Sequence, residues 1–123
     1  MPRQVQIHNQ THALRQPLSV GYCGSFFCRW RGLTFRHCIA PDEGLLLVQG
    51  RESRVDAAIH MLAVFTDLAV IWINADGTVV DAVHAKAWRL AYIPKRPAKY
   101  ILEIHPSRIT DFVIGDKVTF INA

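Results

Sequence analysis

The chain has 123 residues, half of them hydrophobic and a fifth charged, which is the composition of one globular domain and excludes a disordered or fibrous segment. Its formal net charge of +4 is compatible with an anionic partner without requiring one. No apolar run approaches the roughly 20 residues that span a bilayer, and the opening MPRQVQIHNQTH has neither an apolar core nor a small-residue cleavage site, so the expectation is a cytoplasmic protein with no membrane partner.

Residues 5–8 and 18–23 read as two short strands, with a polar connection containing Pro17 between them. The period then changes. In Ser25-Phe26-Phe27-Cys28-Arg29-Trp30-Arg31-Gly32-Leu33, positions 26, 27, 30 and 33 share one helical face, Ser25 suits an N-cap and Gly32 a stop. This predicts one short helix near residues 25–33. Arg36 is placed to anchor its end to a carboxylate such as Glu43. Pro41-Asp42-Glu43-Gly44 is a turn into a buried strand at 45–48, residues 49–56 are a polar connection, and 57–64 is the next predicted strand.

The core hairpin is expected at 69–84. Residues 69–73 are continuously apolar, as in a strand covered on both faces, and Asn74-Ala75-Asp76-Gly77 is a turn cluster leading into the Val-rich arm 78–84. Beyond it, 85–99 carries two prolines and no clear period. Residues 100–104 form a strand with Glu103 as its only charge, Ile114-Gly115-Asp116-Lys117 is a turn, and 118–121 is the last strand. The prediction is a mainly β protein over residues 1–123. It is a single domain, a single antiparallel β-sandwich with one helix.

In this order the pieces resemble the uncharacterised family known as domain of unknown function 192. The likeness rests on Arg31-Gly32-Leu33 with Arg36, then Asp42-Glu43-Gly44-Leu45-Leu46, Met61 and Ile71-Trp72-Ile73-Asn74. It continues through Asp76-Gly77-x-Val79-Val80, Tyr100-Ile101-Leu102-Glu103 and Gly115-Asp116-x-Val118, covering about 18–120. It implies a small jelly-roll-like sandwich with a short helix and implies no activity. The chain departs from the family where Lys-Asn-Thr would follow the methionine, since Leu62-Ala63-Val64 stands there. Asp67-Leu68-Ala69-Val70 likewise replaces Pro-Leu-Asp-Ile, and Lys86-Ala87-Trp88 lacks the family's prolines.

Few residues point to chemistry. Cys23, Cys28 and Cys38 are spaced by five and ten residues, without the Cys-x-x-Cys or His-x-x-x-His pairs of a zinc site. Their odd number argues against a complete disulfide framework. Buried cysteines acting as small hydrophobes, and a fold that stands without metal, cofactor or disulfide, are expected. No Gly-x-Ser-x-Gly elbow or phosphate loop is present, Asp76 reads as a turn residue and Asp81 as a solvent-facing strand residue, and no catalytic residue is assigned.

One stretch is uneven. Between Asp81 and Glu103 there is no acid, while Lys86, Arg89, Lys95, Arg96 and Lys99 are interleaved with Trp88, Tyr92 and Tyr100. Cations among aromatics suit an anionic, stackable ligand such as single-stranded nucleic acid. The loop 84–100, through Lys86, Trp88, Arg89, Tyr92, Lys95, Arg96 and Lys99, is the candidate site for such a partner. The competing account gives the aromatics to edge cover and the lysines to edge protection. The favoured function is a non-catalytic binding or accessory domain. The alternatives are the anion-binding loop and an enzyme whose site the sequence conceals.

Overall fold

The structure, a computed structural model, describes residues 3–25, 28–29, 32–33, 36–61, 63–89 and 91–122. Among the described residues seven strands form where β-branched and aliphatic residues concentrate: β1 (Gln4–Asn9), β2 (Ser19–Cys23), β3 (Gly44–Ser53), β4 (Leu68–Ile73), β5 (Val79–Ala85), β6 (Ala98–Ile104) and β7 (Val118–Asn122). A 3-10 helix, Pro106–Asp111, precedes β7. The strands make one sheet in the order β5-β4-β6-β3-β2-β1-β7. All neighbours are antiparallel except β2 and β3, which run parallel.

The antiparallel jelly-roll-like sandwich expected from the sequence is therefore corrected to a single mixed sheet, curled into a half-barrel. A parallel neighbour needs a crossover too long for a hairpin, and the stretch 24–43 between β2 and β3 supplies it. The curl brings the outer strands together at one end. There Thr78 bridges Lys117, and Val118 N–H donates to Gly77 O at 2.8 Å. Gly77 has φ +86°, and a Cβ on it would lie 2.7 Å from Val118 O, so both the turn and the closure exclude a side chain.

The β4–β5 hairpin forms as its sequence predicts. Asn74 Oδ1 accepts from the N–H groups of Asp76 and Thr78 at 3.0 and 2.9 Å, holding the turn. All six residues of β4 are buried. Ala69, Ile71 and Ile73 join Val5, Ile7, Leu102 and Phe112 in one core, while Leu68, Val70 and Trp72 join Leu47, Met61 and Ile101 in another on the opposite face. Continuous hydrophobicity in β4 thus reports two covered faces. Asp81, expected to face solvent, is instead 3% exposed, its oxygens accepting from Ala82 N–H at 2.9 Å and Lys95 N–H at 3.0 Å.

The strand expected at 57–64 is not a strand. Ala57, Ile59, Met61 and Val64 are buried as a cover over the sheet, and among the described residues an isolated bridge joins Ile59 to Tyr92. Alternating burial here arises from packing without a ladder. Trp72 Nε1 donates to Ala57 O at 2.7 Å and fastens the cover to β4. The replaced family cluster lies in this segment. Leu62 is outside the described residues, Val64 is buried, and Ala63 has φ +58°. A left-handed backbone costs an ordinary L-residue about 1–2 kcal/mol, and asparagine tolerates it better. Ala63→Asn alone is therefore expected to stabilise the fold by about 0.5–1 kcal/mol, whereas Val64→Thr destabilises it by burying a hydroxyl. Urea melts of the two single variants check the opposite signs.

Within the predicted helix, Ser25 Oγ accepts from Cys28 N–H at 3.1 Å, and Gly32 N–H donates to Cys28 O at 2.8 Å. Gly32 has φ +53°, in keeping with the stop assigned to it. Phe26, Phe27, Trp30 and Arg31 of that helix lie outside the described residues. Arg36 does reach Glu43, at 2.8 Å. The expectation of unpaired cysteines and a disulfide-free fold is corrected, since Cys23 and Cys28 are bonded with Cα atoms 5.6 Å apart and Cys38 is free and exposed. Closing so short a loop contributes roughly 2 kcal/mol on a chain-entropy basis.

Candidate functional site

Strand alternation along β6 sends Leu102 and Ile104 into one core and Ile101 into the other, and Glu103 follows Ile101 to that second face. There it is 4% exposed, directly across the ladder from Leu45 on β3 and Val70 on β4. Its Oε1 has no hydrogen-bond partner among the described residues. Burial pushes this carboxyl up to about 7.

Glu103 lines a cleft of about 540 Å³. Leu47, Ile59, Leu68 and Ile101 give the cleft an apolar lining, and its polar members are Arg29, Gln49, Arg51, Asp56 and His60. Arg29 is held by Gly24 O and Val48 O at 3.1 and 2.9 Å, and Arg51 lies 3.3 Å from Asp56. Gly32 borders the carboxylate, where a Cβ would sit 3.4 Å from Oε1 and 3.9 Å from Oε2. A lone carboxylate in an otherwise apolar strand was the sequence signal for this residue, but its cleft depends on segments far apart in the chain.

The sequence-predicted residues are placed differently. None of Lys86, Trp88, Arg89, Tyr92, Lys95, Arg96 and Lys99 lines this cleft. Arg89 lies over the Tyr92 ring at 5.7 Å, and the Tyr92 hydroxyl accepts from Lys86 N–H at 2.9 Å. Trp88 is 52% exposed and meets Phe65 edge-on at 5.2 Å, and Phe65 stacks on His37 at 4.4 Å. The loop therefore brings Lys86, Trp88, Arg89 and Tyr92 into one neighbourhood with two aromatics the sequence did not associate with it. Lys95 and Arg96 are exposed further along, and Lys99 lies 5.6 Å from the Tyr100 ring. Tyr100 packs against the core of the opposite face from Tyr92, so the sheet separates these two rings.

Asp67 ties the loop down. It accepts from Ala87 N–H at 2.9 Å and meets His84 Nε2 at 2.8 Å, and these contacts, the Ala87 amide foremost, hold its carboxyl below the usual range. At the closed end of the sheet, burial would raise Asp116. Hydrogen bonds from Asn9, Val113 N–H and His12 outweigh burial and lower it. Among the described residues no group of three His, Cys, Asp or Glu could hold a metal ion, and no helix is long and apolar enough to cross a membrane.

Curled mixed sheet, covering segments and cleft together define a small β domain with one buried carboxylate, Glu103, at the cleft. The chain belongs to the DUF192 family, described as Uncharacterized ACR, whose profile matches residues 6–120. It is 38% identical over 95 residues to a UPF0127 protein of Pyrococcus furiosus, spanning 77% of this chain and 78% of that relative. With a UPF0127 protein of Pyrococcus abyssi it shares 29% identity over 117 residues, spanning 94% and 97%. A Thermococcus kodakarensis relative is 37% identical over 97 residues, and the match spans 79% of this chain and 60% of that protein.

Two solved structures share the fold. A candidate transcription regulator from Sinorhizobium meliloti 1021 aligns with TM-score 0.81 and 21% identity over 96% of this chain and 92% of that one. A protein of unknown function from Novosphingobium aromaticivorans aligns with TM-score 0.77 and 19% identity over 94% and 83%. At these identities the likeness establishes the fold alone. The family is one of unknown function, and these likenesses indicate no specific activity. Of the residue blocks that marked the family resemblance, Gly32-Leu33 and Glu103 meet at the cleft.

Proposed function

We propose that the protein is a non-catalytic binding domain that seats a small molecule in the cleft over Glu103. The observation that carries this reading is the carboxylate itself, buried to 4% exposure with one oxygen that has no hydrogen-bond partner among the described residues. An unsatisfied buried acceptor costs about 1–3 kcal/mol, which a donor brought by a ligand would recover. Cleft size and mixed lining suit a small molecule, with apolar walls to bury its body and few polar groups to orient it. A thermal-shift screen at pH 8 tests the reading on the native chain and on Glu103→Leu. The expected result is a compound that raises the melting temperature of the native chain by several degrees and leaves the variant unmoved. Compounds that shift both equally, or a screen with no shift at all, would count against it.

A second reading is favoured by the His37–Phe65–Trp88 stack beside the exposed cations Lys86 and Arg89. Such a surface would take a stackable anion through the loop 84–100. Binding of a single-stranded oligonucleotide should then fall steeply with salt, because each phosphate contact releases counterions. Changing Lys86 and Arg89 together to Ala should weaken binding and flatten that salt dependence. Fluorescence titration at several salt concentrations measures both, and no binding at low salt removes this reading.

A further inference from the structure

From the charges around the cleft we infer that its ligand is a small zwitterion, with an ammonium end on Glu103 and an anionic end toward Arg29 and Arg51. The inference rests on the binding reading above and specifies the ligand class. A buried carboxylate is best satisfied by a cationic donor, which supplies hydrogen bonds and cancels the desolvated charge at once. Gly32 presents no side chain to the two oxygens, so that approach is free of a Cβ. Beside this floor the cleft carries two cations and one further acid, Asp56. Arg29 and Arg51 are two cations, and of these Arg51 alone has an acidic partner in the cleft, the Asp56 carboxylate at 3.3 Å. A purely cationic ligand would meet that excess, and a purely anionic one would meet Glu103. The apolar lining between them suits a short aliphatic spacer.

Ligand binding by this route takes the deprotonated carboxylate, so affinity for an ammonium group rises with pH through the range in which Glu103 loses its proton. Among the described residues the other charged or titratable side chains lining the cleft are Arg29, Arg51, Asp56 and His60, and the strand neighbours Leu45 and Val70 do not titrate.

Calorimetric titration of the full chain with 6-aminohexanoate, hexylammonium, hexanoate and hexanol tests the assignment. The expected result is that 6-aminohexanoate binds at least tenfold more tightly than hexanoate or hexanol, and more tightly at pH 8 than at pH 6. Glu103→Gln should abolish both the preference and the pH dependence. Arg51→Ala, at an exposed position, should weaken 6-aminohexanoate while leaving hexylammonium unchanged. Hexanoate or hexanol binding as tightly as the zwitterion would overturn the ligand class while leaving the cleft a binding site. Absence of binding by all four at millimolar concentration would overturn the ligand class, and with the screen above also silent, the binding reading as well.

Discussion

Replacing Arg108 with Met is expected to lower the free energy of unfolding by roughly 3–5 kcal/mol, among the largest single-residue effects in the molecule. Arg108 is 5% exposed within the 3-10 helix. Its guanidinium donates to Pro41 O at 2.8 Å, to Gln16 O at 2.9 Å and to the Asp111 carboxylate. Two segments remote in sequence are thereby tied to the 3-10 helix through one side chain. Removing it strands two carbonyls, each costing about 1–3 kcal/mol if left unpaired, together with one half of an ion pair. Methionine fills much of the volume, so the loss reports hydrogen bonds and charge more than a cavity. For a domain of this length the melting temperature should fall by about 10–20 °C. Asp111→Ala should cost much less, because the side chain of Asp111 is 31% exposed and water replaces part of what is lost. Equal losses for the two variants would show that the carboxylate, and not the two carbonyls, carries the effect.

Glu103 should make the protein less stable as pH rises from about 4.5 to about 7. Its carboxyl titrates near 4.5 in the unfolded chain and near 7 in the fold, so between these values folding takes up a proton. The stabilisation is fully present below the lower value and is lost as the pH passes the higher one. A difference of about 2.5 pH units corresponds to about 3 kcal/mol. Denaturant melts at pH 5 and pH 8 should differ by an amount of this order, and Glu103→Gln should remove most of the difference. Asp116 acts in the opposite sense and in a lower range. Its carboxyl is lowered in the fold, so its contribution is present above the ordinary carboxylate value and lost as the pH falls through the folded one. A maximum in stability near pH 4, between the two ordinary carboxylate values, is the combined expectation. A Glu103→Gln variant that retains the full slope would assign it to other groups.

Local signals in the chain determined most of the strands. The β4–β5 hairpin was legible because a continuous apolar run, an Asn-to-Gly turn cluster and a Val-rich arm are each sufficient at short range. The Ser25 cap, the Gly32 stop and the Arg36–Glu43 pair were legible for the same reason, since each involves residues no more than seven positions apart. What the sequence could not specify was which strands are neighbours. Hydrophobic pattern reports burial, and a segment such as 57–64 is buried by lying over the sheet as readily as by pairing within it. The parallel β2–β3 pair and the curled single sheet were likewise decided by the path of the long connection 24–43. The cationic loop was visible as composition, yet the sheet divides Tyr92 from Tyr100, and the Phe65 and His37 that meet Trp88 come from elsewhere in the chain. Glu103 was plain in the sequence as one charge in an apolar strand. That it floors a cleft bordered by Gly32 followed only from the tertiary structure, because Gly32, Gln49, Ile59, Leu68 and Ile101, far apart in the chain, converge there through long-range packing that no local pattern encodes.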